Sequence, residues 1–444
     1  MASPETELAE FAATLTFAEV PDDARETVRR AFLDTAGVTL AGAVEGAGET
    51  TFEALDSRPD DGDVAATLGL TTSASAAERA LRTGTASHAL DYDDLSWAMD
   101  GHPSVTLVPA LFALAGERGA SGEALVAAYA AGFEVECALA DPISPDHYEA
   151  GWHATATFGA FGAAAAVASL LDLDTEETRH ALNVAASTPA GLKRNFGSMT
   201  KPLHAGLCAR SGVTAALLAE NGFTADATAV SGDRGFWDLY GPEERDEFAF
   251  DPDEWALETE GIHVKYYPCC YFTHTSIAAT QALVEEHGVD PEDVERIQVR
   301  AAQGAADALH HVDPETGLEA KFSMEYAVAS GAVRERVGLA TFEDDAIDDA
   351  TVQRVRERVE FSVDESFHYD SHEAVVRIET ADGTYERRQE NPPGTHGDPL
   401  TESELREKFA ECAGRAVPDT AVDRLADTLL TLDDHPDVAD ALAE

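Results

Sequence analysis

Apolar residues recur at the spacing of an α-helix through about the first half of the chain. They fall at positions i, i+3 and i+4, which is the pattern of an amphipathic helix. The clearest such segments are 23–40, 76–90, 105–116 and 122–139. Ser121 and Asp174 stand directly before helical segments, where N-cap residues are expected. The first 220 or so residues are therefore predicted to be helical.

Strand patterns follow beyond about residue 225. They are found in the segments 294–302, 359–363 and 373–389. The last of these contains two β-type runs around Asp382-Gly383, which is a strong hairpin signal. Helical segments at 275–286 and 324–333 lie among the strands, and this mixture indicates a small α+β domain.

The helical period returns after the turn-rich segment ENPPGTHGDP at 390–399. The sequence therefore predicts a mainly α fold with two domains. Residues 1–260 and 396–444 are expected to form a large all-helical domain, and residues 261–395 an inserted, smaller α+β lid domain.

The chain is strongly acidic, with 84 Asp and Glu against 30 Lys and Arg and a formal net charge of -54. This balance excludes a nucleic-acid surface that works by neutralising phosphates. The hydrophobic fraction of 44% still allows a large core. Such a surface suits molar salt, where the Debye length falls to about 3 Å, so a halophilic source is expected.

Lysine is nearly absent. The five lysines are Lys193, Lys201, Lys265, Lys321 and Lys408. In a chain with so few lysines, each one retained is expected to be held for a specific contact, since an ammonium group is a good partner for a carboxylate. The lysines therefore help to locate a site.

Motifs for cofactors and membranes are missing. The five cysteines show no metal or disulfide spacing, and no GxGxxG after a strand, GxxxxGK[ST], GxSxG or HExxH occurs. The uncharged run 154–171 consists mostly of Ala and Gly, which favours a buried helix over a membrane span. The first residues lack the pattern of a signal peptide. We expect a cytoplasmic protein with no membrane segment and no cofactor.

Four segments gather His, Lys and Asp. They are HALDYDDLSWAMDGHPS at 88–104, GWHATAT at 151–157, LKRNFGSMTKPLHAG at 192–206 and KYYPCCYFTH at 265–274. Each residue has a structural alternative, because a single His is often satisfied inside a core and clustered Asp can lie at a solvated helix end. The carboxylates at 91, 93 and 94 with His102 match no standard metal-ligand spacing. Together, these groups suit a site that binds a small polyanionic acid and moves protons.

These segments, with KFSMEYAVA at 321–329, resemble the MmgE/PrpD family in the same order along the chain. That family includes 2-methylcitrate dehydratase, cis-aconitate decarboxylase and an iminodisuccinate epimerase. The resemblance covers about residues 5–440. It implies a homodimer without an iron–sulfur cluster, in which each subunit has a helical domain and an inserted α+β lid.

The resemblance also implies the site. The catalytic candidates are Asp91, His102, His153, Lys201 and His274, and the substrate-binding candidates are Lys193, Arg194, Ser96, His204, Lys265 and Tyr326. Leu95 stands where many relatives have a hydroxyl residue, with Ser96 next to it. This difference bears on which substrate fits.

The expected function is that of a metal-independent lyase acting on a small di- or tricarboxylic acid, with dehydration of a 2-methylcitrate-like substrate as the specific expectation. Lys201 is expected to bind a substrate carboxylate. Asp91, His102 and His153 are the acid and base candidates. Decarboxylation of cis-aconitate, epimerisation of iminodisuccinate and a non-catalytic homologue remain alternatives.

Overall fold

A computed structural model describes residues 3–55, 59–60, 62–71 and 74–443. Within these ranges the α-helices are α1 (Pro4–Thr14), α2 (Asp22–Ala43), α3 (Gly46–Ala54), α4 (Val64–Thr67), α5 (Ala76–Ser87), α6 (Ser104–Arg118), α7 (Gly122–Ala140), α8 (Asp146–Glu149), α9 (Ala154–Leu170), α10 (Thr175–Ala185), α11 (Thr200–Glu220), α12 (Phe236–Tyr240), α13 (Ala256–Thr259), α14 (His274–His287), α15 (Gln303–Ala308), α16 (Gly317–Ala320), α17 (Met324–Val333), α18 (Ala350–Arg356), α19 (Glu402–Ala413), α20 (Asp419–Leu430) and α21 (Val438–Ala443). The strands are β1 (Val294–Ala301), β2 (Val359–Val363), β3 (Ala374–Thr380) and β4 (Gly383–Gln389). The mainly α fold predicted from the sequence is confirmed.

The chain divides into two compact units. The first comprises residues 1–195, 199–264 and 401–444, and the second comprises residues 196–198 and 265–400. The first unit contains α1–α13 and α19–α21 and no named strand among its described residues. The role of the second unit as a lid stays a prediction.

Helix α9 lies in the core of the first unit. It packs against α7, α6 and α11, and its residues 154–168 are buried on every side. The uncharged run at 154–171 is therefore a buried helix, as predicted. No helix in the described residues combines the length and apolar character needed to cross a membrane.

Helices α5 and α11 approach each other very closely. A Cβ atom on Gly206 would lie 2.1 Å from the carbonyl oxygen of Leu81, and one on Gly84 would lie 2.9 Å from the Cα of Gly206. Only residues without a side chain allow two helix backbones to come so near. This contact sets the end of α5, where the loop at 88–103 begins, against the first half of α11.

Helix starts in the first unit agree with the sequence, but one helix end does not. Ser121 accepts a hydrogen bond from the backbone of Ala124, and Asp174 accepts two in the first turn of α10. Helix α5 ends at Ser87, although the periodicity predicted a helix to residue 90. Asp91 has a φ of 52° in the left-handed region, so an α-helix cannot continue through it.

The second unit is built on a four-stranded mixed sheet in the order β2-β1-β3-β4. Strand β1 is parallel to β2 and antiparallel to β3, and β3 pairs with β4 as a hairpin that closes at Thr380 and Gly383. The hairpin predicted around Asp382-Gly383 is thus confirmed. Helices α14 and α17 pack on the sheet and cover a core that includes Ile297, Val299 and Val376.

None of the five lysines is exposed. Lys201, Lys265, Lys321 and Lys408 are buried, and Lys193 is half-buried. The prediction that retained lysines make specific contacts is confirmed for Lys408, whose Nζ lies 2.6 Å from Asp34 Oδ1 and donates to the carbonyl oxygen of Tyr92. The exposed cations of the described surface are arginines and histidines.

The acidic, lysine-free surface leads to a prediction about salt. The melting temperature is expected to rise steeply as KCl increases from about 0.2 M to 4 M, because the Debye length shrinks and surface carboxylates cease to repel one another. Differential scanning fluorimetry across this series measures it. A melting temperature that is indifferent to salt would contradict a halophilic adaptation.

Glu136 of α7 gives a prediction about pH. Its carboxyl group is fully buried, and neither oxygen has a hydrogen-bond partner among the described residues. Burial, followed by the charge of Asp94, raises the pKa of Glu136 well above its ordinary value. The folded state therefore holds this proton more tightly than the unfolded state, and stability is lost as pH rises above the unfolded pKa of about 4.3.

Glu136→Gln keeps the shape of the side chain and removes the ionisation. The variant is expected to be more stable than the parent at about pH 9, by about 1–3 kcal/mol, and to show a weaker fall in stability with pH. Glu123→Gln, at an exposed position in the first turn of the same helix, is the control. Identical pH dependence in parent and Glu136→Gln proteins would show that Glu136 remains ionised in the fold.

Candidate active site

The loop between α5 and α6 folds back on itself and presents acid and imidazole groups within the first unit. Ser96 pairs with Gly101 through two backbone hydrogen bonds of 2.8 and 3.2 Å. The backbone N–H of His102 donates to Thr155 Oγ1 at 2.9 Å, and a Cβ on Gly101 would lie 2.8 Å from the backbone nitrogen of Thr155. The loop is therefore held tightly against the start of α9.

Asp93 lies between two imidazoles. His88 Nδ1 is 2.9 Å from each oxygen of the carboxylate, and His102 Nδ1 is 2.8 Å from Oδ2. His102 Nδ1 also lies 2.7 Å from the carbonyl oxygen of Asp94. Burial opposes ionisation of Asp93, but the two imidazoles outweigh it and hold its pKa well below the ordinary value. A carboxylate that binds Nδ1–H leaves Nε2 of His102 as the proton-accepting atom.

Asp91 pairs with Lys201. Lys201 stands in the first turn of α11, and its Nζ is 2.5 Å from Asp91 Oδ1. Both side chains are buried. The left-handed backbone of Asp91 is costly for a residue other than glycine, and such conformations cluster at functional sites. An ammonium is a good partner for a carboxylate, so this position suits the binding of an anionic ligand.

His153 and His204 form a second imidazole pair. Their Nδ1 atoms are 3.0 Å apart, so one must carry a proton while the other accepts it. Burial, and then the charge of neighbouring cations, lowers the pKa of His204 to about 4 and that of His153 well below its usual range. Gly191, with a φ of 131°, fits closely here, since its Cβ would lie 2.6 Å from that of Ala156.

The Asp93 group and the His153–His204 pair are adjacent. The ring of His88 is 4.6 Å from that of His102 and stacks on that of His153 at 5.8 Å, measured between ring centres. One cluster therefore contains four imidazoles, two carboxylates and one ammonium. We call it the α5–α11 cluster, formed by His88, Asp91, Asp93, His102, His153, Lys201 and His204.

Asp94 lies on the same loop and helps to hold it in place. It accepts a hydrogen bond from the backbone of Ser104 at 3.3 Å and contacts the hydroxyl of Ser104, which in turn lies 2.6 Å from the hydroxyl of Tyr129. Burial and then the charge of Asp34 raise the pKa of Asp94 well above its ordinary value. Asp94 is therefore a buried structural group that fixes the end of the loop.

The structure brings five of the predicted site residues into the cluster, namely Asp91, His102, His153, Lys201 and His204. Three others of the first unit have different surroundings. Ser96 is fully buried, with no hydrogen bond to its hydroxyl among the described residues. Lys193 Nζ donates to the carbonyl oxygen of Tyr148 and lies 3.5 Å from the centre of its ring. Arg194 is exposed.

The remaining three predicted residues belong to the second unit. Lys265 is buried there. His274 Nε2 lies 3.2 Å from the carbonyl oxygen of Cys269, and the hydroxyl of Tyr326 donates to the carbonyl oxygen of Thr341 at 2.7 Å. Their placement in the site stays a prediction from the family resemblance.

Sequence reasoning missed His88 and Asp93 as site residues. Both residues lie in the segment 88–104, which was noted for its His and Asp content. A single His is usually a structural residue, however, and Asp93 is one of 84 acidic residues. A usable signal was the spacing, since two His flank a run of Asp in a loop rather than a helix. The contact between His88 and Asp93 could be recognised only once the fold of the loop was known.

One group could hold a metal ion by distance. His88, Asp91 and His102 each have a potential ligand atom within 4.8 Å of the others. The ammonium of Lys201, at 2.5 Å from Asp91, already supplies a positive charge to that carboxylate. The donor set therefore fits an organic anion bound by Lys201 better than a second cation.

Comparison with known proteins gives matches along nearly the whole chain. A model of the MmgE/PrpD N-terminal domain matches residues 6–249, and one of the MmgE/PrpD C-terminal domain matches residues 267–434. The cis-aconitate decarboxylase of Mus musculus is 27% identical over 80% of this chain and 75% of its own length. The cis-aconitate decarboxylase-like protein oryM of Aspergillus oryzae is 26% identical over 98% and 96%, and the cis-aconitate decarboxylase of Aspergillus terreus is 24% identical over 98% and 94%.

Proposed function

This chain belongs to the MmgE/PrpD family, and on that premise we propose that it is a metal-independent lyase acting on a small di- or tricarboxylic acid in the α5–α11 cluster. The observation that carries the proposal is the arrangement of Lys201 beside two separate imidazole groups. A fixed ammonium can bind a substrate carboxylate, while an imidazole can move a proton at the neighbouring carbon.

Each group has a distinct role in this proposal. Lys201, paired with Asp91 at 2.5 Å, binds one carboxylate of the substrate. His102, oriented by Asp93, accepts or returns a proton through Nε2. His153 and His204 are linked to each other by a hydrogen bond, so the pair is a second group that can hydrogen-bond to the substrate. His274, Tyr326 and Lys265 would contribute from the second unit, as the family resemblance implies.

We take cis-aconitate as the first substrate to test. The curated relatives described above are named cis-aconitate decarboxylases or similar to them, and two of them match 98% of this chain. Loss of carbon dioxide from such an acid leaves a carbanion that must be protonated. An ammonium that binds the remaining carboxylates and an imidazole that delivers the proton meet that need.

Dehydration of 2-methylcitrate is the second candidate, and a different observation favours it. Elimination of water needs one group to take a proton and another to protonate the departing hydroxyl. The Asp93–His102 couple can take the proton, and an N–H of the His153–His204 pair can hydrogen-bond to the departing hydroxyl. Leu95 occupies the position where many relatives place a hydroxyl, so the substrate contact there differs.

A substrate panel tests the proposal. Purified protein in high salt is incubated with cis-aconitate, 2-methylcitrate, citrate and iminodisuccinate, and products are identified by NMR. Turnover of one tricarboxylic acid is expected. Conversion of iminodisuccinate alone would favour epimerisation, and a folded protein inert toward all four acids would favour a non-catalytic homologue. The homodimer that the resemblance implies and the cytoplasmic location expected from the sequence are part of the same proposal.

Removal of metal ions is expected to leave turnover unchanged. The positive charge at the substrate comes from Lys201, and Cys269 and Cys270 are adjacent without further cysteines spaced for a cluster. Activity is measured before and after exhaustive dialysis against a chelator in high salt. Loss of activity that a particular divalent ion restores would contradict the mechanism.

A further inference from the structure

We propose that His88 is a positioning residue that governs the protonation of His102 through the carboxylate of Asp93 that the two imidazoles share. The inference deepens the proposed function, on which its catalytic readout rests. It concerns how His102 is kept in its proton-accepting form. Its first test, an NMR titration, needs no substrate.

The geometry fixes the protons on both rings. Asp93 is wholly buried, and its ionised carboxylate can only accept hydrogen bonds. His88 Nδ1 lies 2.9 Å from both oxygens, and His102 Nδ1 lies 2.8 Å from one of them. Both Nδ1 atoms must therefore carry hydrogen. The only variable proton positions left are the two Nε2 atoms.

His88 cannot readily accept a second proton. Its side chain is completely buried, and its Nε2 has no hydrogen-bond partner among the described residues. A proton placed there would create a charged donor without an acceptor, which is costly away from water. The side chain of His102 is 13% exposed. Of the two imidazoles, His102 is therefore the one that titrates.

A neutral His88 limits how strongly Asp93 can raise the proton affinity of His102. The N–H of His88 stabilises the carboxylate, so Asp93 gains less by attracting a further proton to His102. His102 then stays in its basic form at neutral pH. Without the N–H of His88, the carboxylate would depend on His102 alone and would favour its imidazolium form.

Other charged and titratable groups surround the couple. They are Asp91 and Asp94 on the same loop, His153 at the start of α9, Lys201 and His204 on α11, Asp34 on α2 and Lys408 on α19. All of them are unchanged in variants of His88. A difference in the titration of His102 between such variants therefore reports the loss of the His88 donor.

The test is a titration of the imidazole nitrogens by 15N NMR in the parent and in three variants. In the parent, His88 is expected to remain the neutral Nδ1–H tautomer from about pH 5 to pH 8 while His102 titrates. In His88→Leu and His88→Gln, which lack a donor at the Nδ1 position, the midpoint of His102 is expected to rise by about one pH unit. His88→Asn keeps an N–H there and should stay close to the parent.

His147→Asn is the control, because His147 is a buried histidine of the same unit whose two nitrogens bond to Tyr240 and Thr157. It should leave the titration of His102 unchanged. For any substrate that is turned over, the fall of kcat/KM at low pH should move to higher pH in His88→Leu and His88→Gln, by the same amount as the NMR midpoint of His102.

An unchanged midpoint in folded His88→Leu or His88→Gln would overturn the inference. A protonated His88 in the parent over that pH range would overturn it as well, even if both variants failed to fold. A shifted midpoint in a protein that turns over none of the acids would support the inference while contradicting the proposed function.

Discussion

Lys201→Met is expected to lower kcat/KM by about 10- to 150-fold. The ammonium is the fixed cation of the α5–α11 cluster, and one charge-assisted hydrogen bond to a substrate carboxylate is worth about 1.5–3 kcal/mol. If that contact also strengthens as charge develops in the transition state, the loss appears in kcat as well as in KM. Steady-state kinetics on the acid identified by the substrate panel measures both terms.

The partner of Lys201 must be considered in this experiment. Truncating Lys201 leaves Asp91 buried without its counterion, so some loss of stability is expected. The double variant Asp91→Asn, Lys201→Met removes both charges and should recover most of the melting temperature without recovering the lost activity. Lys193→Met, whose ammonium contacts Tyr148, is the control. Near-parental activity in the folded Lys201→Met variant would give Lys201 a structural role only.

Lys408→Met is expected to reduce the free energy of unfolding by about 3–5 kcal/mol, which is the cost of leaving one member of a buried ion pair alone. Lys408 on α19 pairs with Asp34 on α2 at 2.6 Å, and the side chains are only 4% and 1% exposed. It also donates to the carbonyl oxygen of Tyr92. Chemical denaturation in high salt measures the change.

The effect of Lys408→Met should depend on pH. Burial raises the pKa of Asp34 even with Lys408 present, and removing the ammonium raises it further. The variant is therefore less destabilised where Asp34 is protonated, and the loss grows as pH rises. Asp34→Asn with Lys408→Met should recover much of the stability. A loss below about 1 kcal/mol at every pH would show that the pair adds little.

The sequence predicted most of the secondary structure because the relevant signals are local. The hairpin at Asp382-Gly383 and the cap at Asp174 depend on neighbouring residues alone, and both are present. The predicted end of α5 was wrong because Asp91 adopts a left-handed conformation and pairs with Lys201 on α11, which a local pattern does not encode.

The site could be predicted in part. Scarcity of lysine identified groups with specific contacts, but it could not tell the cluster residue Lys201 from Lys408, since both are buried beside an aspartate. The shared carboxylate of Asp93 could not be predicted, because it depends on how the loop at 88–104 folds back. The close approach of α5 and α11 at Gly84 and Gly206 also decides which residues meet, and glycine in a helix carries no such information by itself.

Proton transfer at a carbon next to a carboxylate is the central claim, and deuterium incorporation tests it most directly. The parent protein is incubated in D2O and high salt with cis-aconitate and, separately, with 2-methylcitrate, and the products and remaining substrates are followed by 1H and 2H NMR. We predict deuterium at the carbon next to a carboxylate in the decarboxylated product, or solvent exchange accompanying dehydration. The double variant Asp91→Asn, Lys201→Met should show neither. A folded parent protein that leaves both acids unchanged and free of deuterium would contradict the account.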